Sequence, residues 1–287
     1  MLSTFGSTYS RLAIVSLFCI SLTSCSTKFS YNFLDWAIQR ELNRYVKFTQ
    51  TQKKFTRVAI DEFHLWHRKT QLPIYANYLR GLMSFILKEQ VTADKLKEES
   101  DKIQFFVDES IRQIVPDAAS LIQTLSDKQV AQLANKLQKE REKFKAKFVN
   151  PTIEKQRALH VKKFKQDLKP WFGKLTKEQN QWIQEWSELI QLTGKLTLEE
   201  QERWAQNFQN ILTNRHNKAQ LKQGLDAVFF YTVDDWHPEL QKRVRYNQDI
   251  TLHLLARLIN RRSPSQNQKM VNRLSKLAQD FDELGQL

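Results

Sequence analysis

The chain of 287 residues carries 45 lysines and arginines against 31 acids, a formal net charge of +14, with only six glycines and six prolines. Ordinary usage of those two residues is about 7 and 5 percent, so turns are few and long helices are the economical reading. The glycines, at 6, 81, 173, 194, 224 and 285, are too scattered for a glycine-rich phosphate loop or a G-x-S-x-G nucleophile turn, and two cysteines, Cys19 and Cys25, are too few for a disulfide framework.

The chain opens with Arg11 and a nine-residue apolar run, "LAIVSLFCI", from Leu12 to Ile20. A membrane-spanning helix needs about 20 apolar residues. Nine fit the hydrophobic region of a secretory signal. The following "LTSC", Leu22 to Cys25, resembles the lipobox of bacterial lipoproteins, whose cysteine is acylated and becomes the new N-terminus. The resemblance implies a cleaved signal peptide over 1–24 and a lipidated Cys25; a short tether over 25–30 and a single all-helical domain over 31–287 are then expected from the composition and helix caps. Cys19 would leave with the signal, so Cys25 would have no disulfide partner. Two or three acyl chains anchor stably where one binds only marginally. Ser26 after the cysteine resembles the default signal for outer-membrane sorting in a Gram-negative cell. An ordinary secreted protein with a leftover thiol is the competing reading.

Further along, caps mark the helix starts. A capping box pairs a Ser or Thr with Gln or Glu three residues on, so that two orphan backbone donors are satisfied reciprocally. It is read in "LSDKQ" (Ser126, Gln129), "LTKEQ" (Thr176, Gln179), "LTLEE" (Thr197, Glu200) and "RSPSQ" (Ser263, Gln266). The predicted helices are 31–68, 74–88, 93–115, 127–148, 152–169, 177–191, 198–216, 218–233, 238–260 and 264–284. Leu72-Pro73 is expected to force a turn between the first two. The fold class is all-α, an elongated antiparallel multi-helix bundle.

Between Lys128 and Lys174 fourteen cations face four acids. An apolar stripe of Val130, Leu133, Leu137, Phe144 and Phe148 runs through the same span. A solvated helix face is one reading. The other is a surface for an anionic partner, formed by Lys143, Lys145, Lys147, Lys162 and Lys163. Outside the cytoplasm that partner would be lipid, lipopolysaccharide or a cell-wall polymer, with nucleic acid set aside. Trp171-Phe172 beside this span could reach a lipid interface.

The densest chemical cluster is "DEFHLWHRKTQLPIY", in which His64 and His67 share a helix face with Asp61 one turn earlier and Arg68 alongside. Asp61, His64 and His67 would be the ligands of a metal-dependent enzyme, and Asp234 with His237 in "DDWHPEL" repeats the Asp-x-x-His spacing. No HExxH is present, so the better use of the cluster is structural, at a helix end, and no cofactor or catalytic residue is expected. The "LTxxQ" form also resembles the signature of small periplasmic stress chaperones, a second alternative in which the body would bind unfolded envelope proteins.

Taken in order, "CSTKFSYNFLDWAIQRELNRYVKFT", "WHRKTQLPIYANYL", "LSDKQVAQL" and "TLHLLARLI" resemble a family of uncharacterised bacterial lipoproteins known only as a domain of unknown function. The resemblance implies a helical envelope lipoprotein and no reaction. The expectation is a non-enzymatic, lipid-anchored body facing the periplasm, with a binding or scaffold role and a membrane, polymer or envelope-protein partner.

Overall fold

In the computed structural model, which describes residues 27–88 and 90–287, helix follows helix and no strand occurs among the described residues. The signal segment 1–24 and Cys25 lie outside the described residues. No described helix is long and apolar enough to cross a membrane. Short α1 (Thr27–Asn32) leads through Phe33 into α2 (Leu34–Tyr45), then α3 (Gln50–Trp66) and α4 (Leu72–Lys88). Next come α5 (Ala93–Gln123), α6 (Asp127–Phe148), α7 (Ile153–Phe172), α8 (Lys177–Leu189), α9 (Gly194–Thr213) and α10 (Lys218–Phe229). After a 3-10 turn at Val233–Asp235, α11 (Pro238–Asn260) and α12 (Pro264–Gln286) close the chain. Residues 27–30, expected as a tether, are already helical, and Thr27 and Tyr31 are buried.

Three differences from the sequence reading have physical reasons. The long first helix breaks at residues 46–49, because Thr49 caps a new helix with Gln52 as its box partner. Conversely, Leu72-Pro73 makes no turn: α3 runs into α4 through a π-helical turn, His67–Gln71. A π turn shifts its bonds to i→i+5 and widens the backbone, which accommodates the missing N–H and the ring of a following proline. Likewise α5 passes Pro116 instead of ending at 115. Burial of Ile111, Val115 and Ile122 on its inner face outweighs the cost of an interior proline, about 3 kcal/mol.

The core falls into two main clusters. One joins Phe164, Leu168 and Phe172 of α7, Trp182, Ile183 and Trp186 of α8, Leu258 of α11 and Leu274 of α12. The other joins Ile111 and Val115 of α5, Val130 and Leu137 of α6, Trp204 and Leu212 of α9, and Leu221 and Leu225 of α10. A smaller cluster, Tyr31, Leu72, Tyr75, Ala76, Phe281 and Leu284, ties α1 to the most extensive helix pair, α4 with α12. That pair is antiparallel: Pro73 lies beside Gly285 at one end, and the Arg262 guanidinium donates to the Ile86 carbonyl at the other.

Candidate functional site

The first two family-like motifs meet at the π turn. His67 is 3 % exposed and its Nδ1 is 2.8 Å from the Tyr31 hydroxyl, while Arg68 donates to Asn32 Oδ1 at 2.7 Å. The rings of Tyr31, Phe63, Trp66 and Tyr75 surround the imidazole, at centroid distances between 5.5 and 6.2 Å. Burial, with the His64 imidazole as a lesser cause, pushes His67 down to about 3, so it is neutral throughout the physiological range. Burial and Arg68 also lower His64, and burial raises the Tyr31 phenol. His64 Nε2 and Arg68 Nε are buried without a hydrogen-bond partner among the described residues.

Asp61 is exposed, whereas His67 is buried in this aromatic shell. Among the described residues no group of three or more His, Cys, Asp or Glu side chains is placed to hold a metal ion. Asp234 forms an ion pair with Arg245, and His237 caps α11 through Nδ1. The His64–His67 segment is therefore the packing seat of α1.

The "LTxxQ"-like boxes are used in pairs. Gln52 and Gln129 exchange amide bonds at 3.2 and 2.7 Å across the facing N-termini of α3 and α6. Each carboxamide oxygen also accepts its own cap N–H, from Thr49 and Ser126. Each amino group donates to a carbonyl just before the other helix, Gln52 to Thr124 and Gln129 to Lys47. Gln179 and Gln266 repeat the arrangement between α8 and α12, exchanging bonds at 2.9 and 2.9 Å, with Gln266 donating to the Lys174 carbonyl. All four glutamines are buried. A capping box thus becomes a clasp, satisfying two helix starts and joining distant segments at once.

"LTLEE" is the exception. Its Thr197 is not a cap: α9 begins at Gly194, one turn earlier, and Thr197 is buried inside it. Glu200 instead accepts from the Tyr231 hydroxyl, the Arg203 guanidinium and the His237 backbone N–H. Burial and this carboxylate raise Tyr231 to about 12. The sequence reading missed this network, because Tyr231 sits in the apolar run "AVFFYTV" and nothing local to it points to Glu200, 31 residues earlier.

The five lysines are exposed, as are most of their basic neighbours. Lys143 pairs with Glu140 at 3.0 Å and Lys163 with Asp167 at 3.3 Å, while Lys147 lies over the Phe148 ring at 5.2 Å. Lys143, Lys145 and Lys147 stand on α6, which packs against α9; Lys162 and Lys163 stand on α7, which packs against α8 and α12. The basic span therefore divides between the two core clusters. In its apolar stripe Val130 and Leu137 are buried and Phe144 meets Phe148 at 4.9 Å. Trp171 is partly buried against the first cluster and carries the Arg273 guanidinium over its ring at 4.8 Å, which assigns it to the fold.

Fold and site together define an all-α, multi-helix protein whose buried polar side chains clasp helix ends. A family model matches residues 33–241, and the chain belongs to that family, the family of unknown function DUF6279. No curated protein and no solved structure matches the chain.

Proposed function

We propose that this protein is a lipid-anchored bacterial envelope protein, acylated at Cys25, whose helical body faces the periplasm and works by binding rather than by catalysis. The observation that carries this reading is the junction between "LTSC" and the fold: Thr27, two residues after Cys25, is already helical and buried. Two residues span at most about 7 Å, so an acyl group on Cys25 would hold the body directly at the bilayer.

The buried polar groups support a binding role. His67, Glu200 and the four clasp glutamines, which a catalytic site could have used, are engaged in tying helices together. The exposed lysines Lys143, Lys145, Lys147, Lys162 and Lys163 are the surface for an anionic partner, namely phospholipid, lipopolysaccharide or a cell-wall polymer, or an acidic face of an envelope protein.

Fractionation tests the reading. The wild-type chain should sediment with envelope membranes and Cys25→Ser should not. Reversing the five lysines to glutamate should abolish retention on immobilised lipopolysaccharide; unchanged retention would remove them from the proposal.

A further inference from the structure

The helix that seats the N-terminus leaves an aromatic face outward. Phe29, Phe33 and Trp36 are 64, 50 and 56 % exposed. Their spacing of four and three is that of one helical face; Phe33 stands at the junction of α1 and α2, where its carbonyl accepts the Ala37 N–H as the first bond of α2. The Phe29 and Phe33 rings are 4.6 Å apart, and the Arg40 guanidinium, one turn further, lies over Trp36 at 5.2 Å. The opposite face is committed to the body: Tyr31 is buried, Leu34 packs against the same cluster, and Lys28 pairs with Asp280 and Glu283 of α12. Orientation of the aromatic face is thus fixed relative to the whole fold.

We propose that this face is a membrane-contact surface that inserts Phe33 and Trp36, with Phe29 beside them, into the headgroup boundary of the phospholipid bilayer. The proposal rests on the anchoring reading, which places a lipid on Cys25. Two features select lipid over a protein groove. Phe29 follows Cys25 by only four residues, so a bilayer holding that cysteine would lie within reach of the face. Composition agrees, because phenylalanine and tryptophan with an arginine at the rim suit a boundary that is apolar on one side and anionic on the other. The anchor and the aromatic face then act as two attachment points and set which side of the helical body meets the membrane.

The test attaches the membrane tether chemically, so that it reads the face whether or not cells acylate the cysteine. The chain from Cys25 onward, which contains every described element, is alkylated at that thiol with one myristoyl-length chain, whose own membrane affinity is marginal and reversible. Partition onto vesicles of phosphatidylethanolamine and phosphatidylglycerol is compared for the wild type, Phe33→Gln/Trp36→Gln and Phe105→Gln, the last altering an exposed aromatic on α5. Losing two interfacial aromatics should weaken partition about tenfold, with Phe105→Gln matching the wild type. Bromine-labelled acyl chains should quench fluorescence in the wild type and not in Trp36→Phe. Equal partition of the double variant, or quenching that survives Trp36→Phe, would overturn the proposal. A free thiol in the native protein would sink the anchoring reading alone.

Discussion

Gln266 is the position at which the clasp is most open to measurement. It is 3 % exposed; its carboxamide oxygen accepts from Ser263 N–H at 3.0 Å and Gln179 Nε2 at 2.9 Å, and its amino group donates to Gln179 Oε1 and to the Lys174 carbonyl. Gln266→Met keeps the volume and removes all four bonds. A buried hydrogen bond contributes about 1 kcal/mol net, and a buried group left unsatisfied costs about 1–3 kcal/mol. Gln179, 1 % exposed, retains its own cap bond from Thr176 N–H, but its amino group loses Gln266 Oε1 as acceptor. The expected loss is therefore about 3 kcal/mol, a sizeable part of the roughly 5–15 kcal/mol that holds a domain together. Gln179→Met should cost a similar amount. The double variant Gln179→Met/Gln266→Met should cost about 1–2 kcal/mol less than the sum, since removing the second glutamine strands no further amide. Urea unfolding followed by circular dichroism, at an unchanged slope, reads these values. Gln268→Met, on the exposed side of α12, should stay within about 0.5 kcal/mol of wild type. Strict additivity of the two clasp substitutions, or a Gln266→Met cost as small as that of Gln268→Met, would refute the clasp as an energetic unit.

Other outcomes follow from the same structure. His67 titrates near 3 in the fold against an ordinary 6.5; below the ordinary value the unfolded chain takes up the proton first, so its contribution is whole above pH 6.5 and falls as pH drops. That loss approaches about 1.4 kcal/mol per pH unit, and urea midpoints between about pH 7 and 5 should fall less steeply for His67→Gln than for wild type; parallel curves would exclude the buried neutral imidazole. Glu200→Ala should lower stability by about 1–3 kcal/mol, because it strands the His237 N–H and leaves the Tyr231 hydroxyl only the Asp235 carbonyl, and should move the Tyr231 titration toward 10 in ultraviolet absorbance. A Cβ on Gly194 would lie 2.2 Å from the Phe148 carbonyl oxygen, so Gly194→Ala should force the start of α9 off the end of α6 and cost about 1–3 kcal/mol, whereas Gly81→Ala, whose Cβ meets nothing within 4 Å, should be neutral or stabilising in a thermal melt.

Most helices were legible because their caps are local chemistry. Ser126, Thr176 and Ser263 stand where the sequence places them, and α11 spans the predicted residues. Failures arose where a distant contact overrides a local signal. Pro73 reads as a turn, yet the π turn at His67–Gln71 keeps the helix running because Leu72 and Ala76 are wholly buried against the end of α12. Thr197 and Glu200 match a capping box in sequence, but Tyr231 and the His237 amide draw Glu200 into another network. Pairing between boxes was invisible for the same reason: nothing local to Gln52 names Gln129, 77 residues away, as its partner. Of the candidate site, the exposure of the five lysines was legible, while their division between α6 and α7 packing against different clusters was not.

The most direct test of the account is the intact mass of the protein extracted from native membranes. A chain that begins at Cys25 and carries acyl groups on that residue is the predicted result. An unmodified thiol at position 25, or a chain that retains residues 1–24, would contradict it.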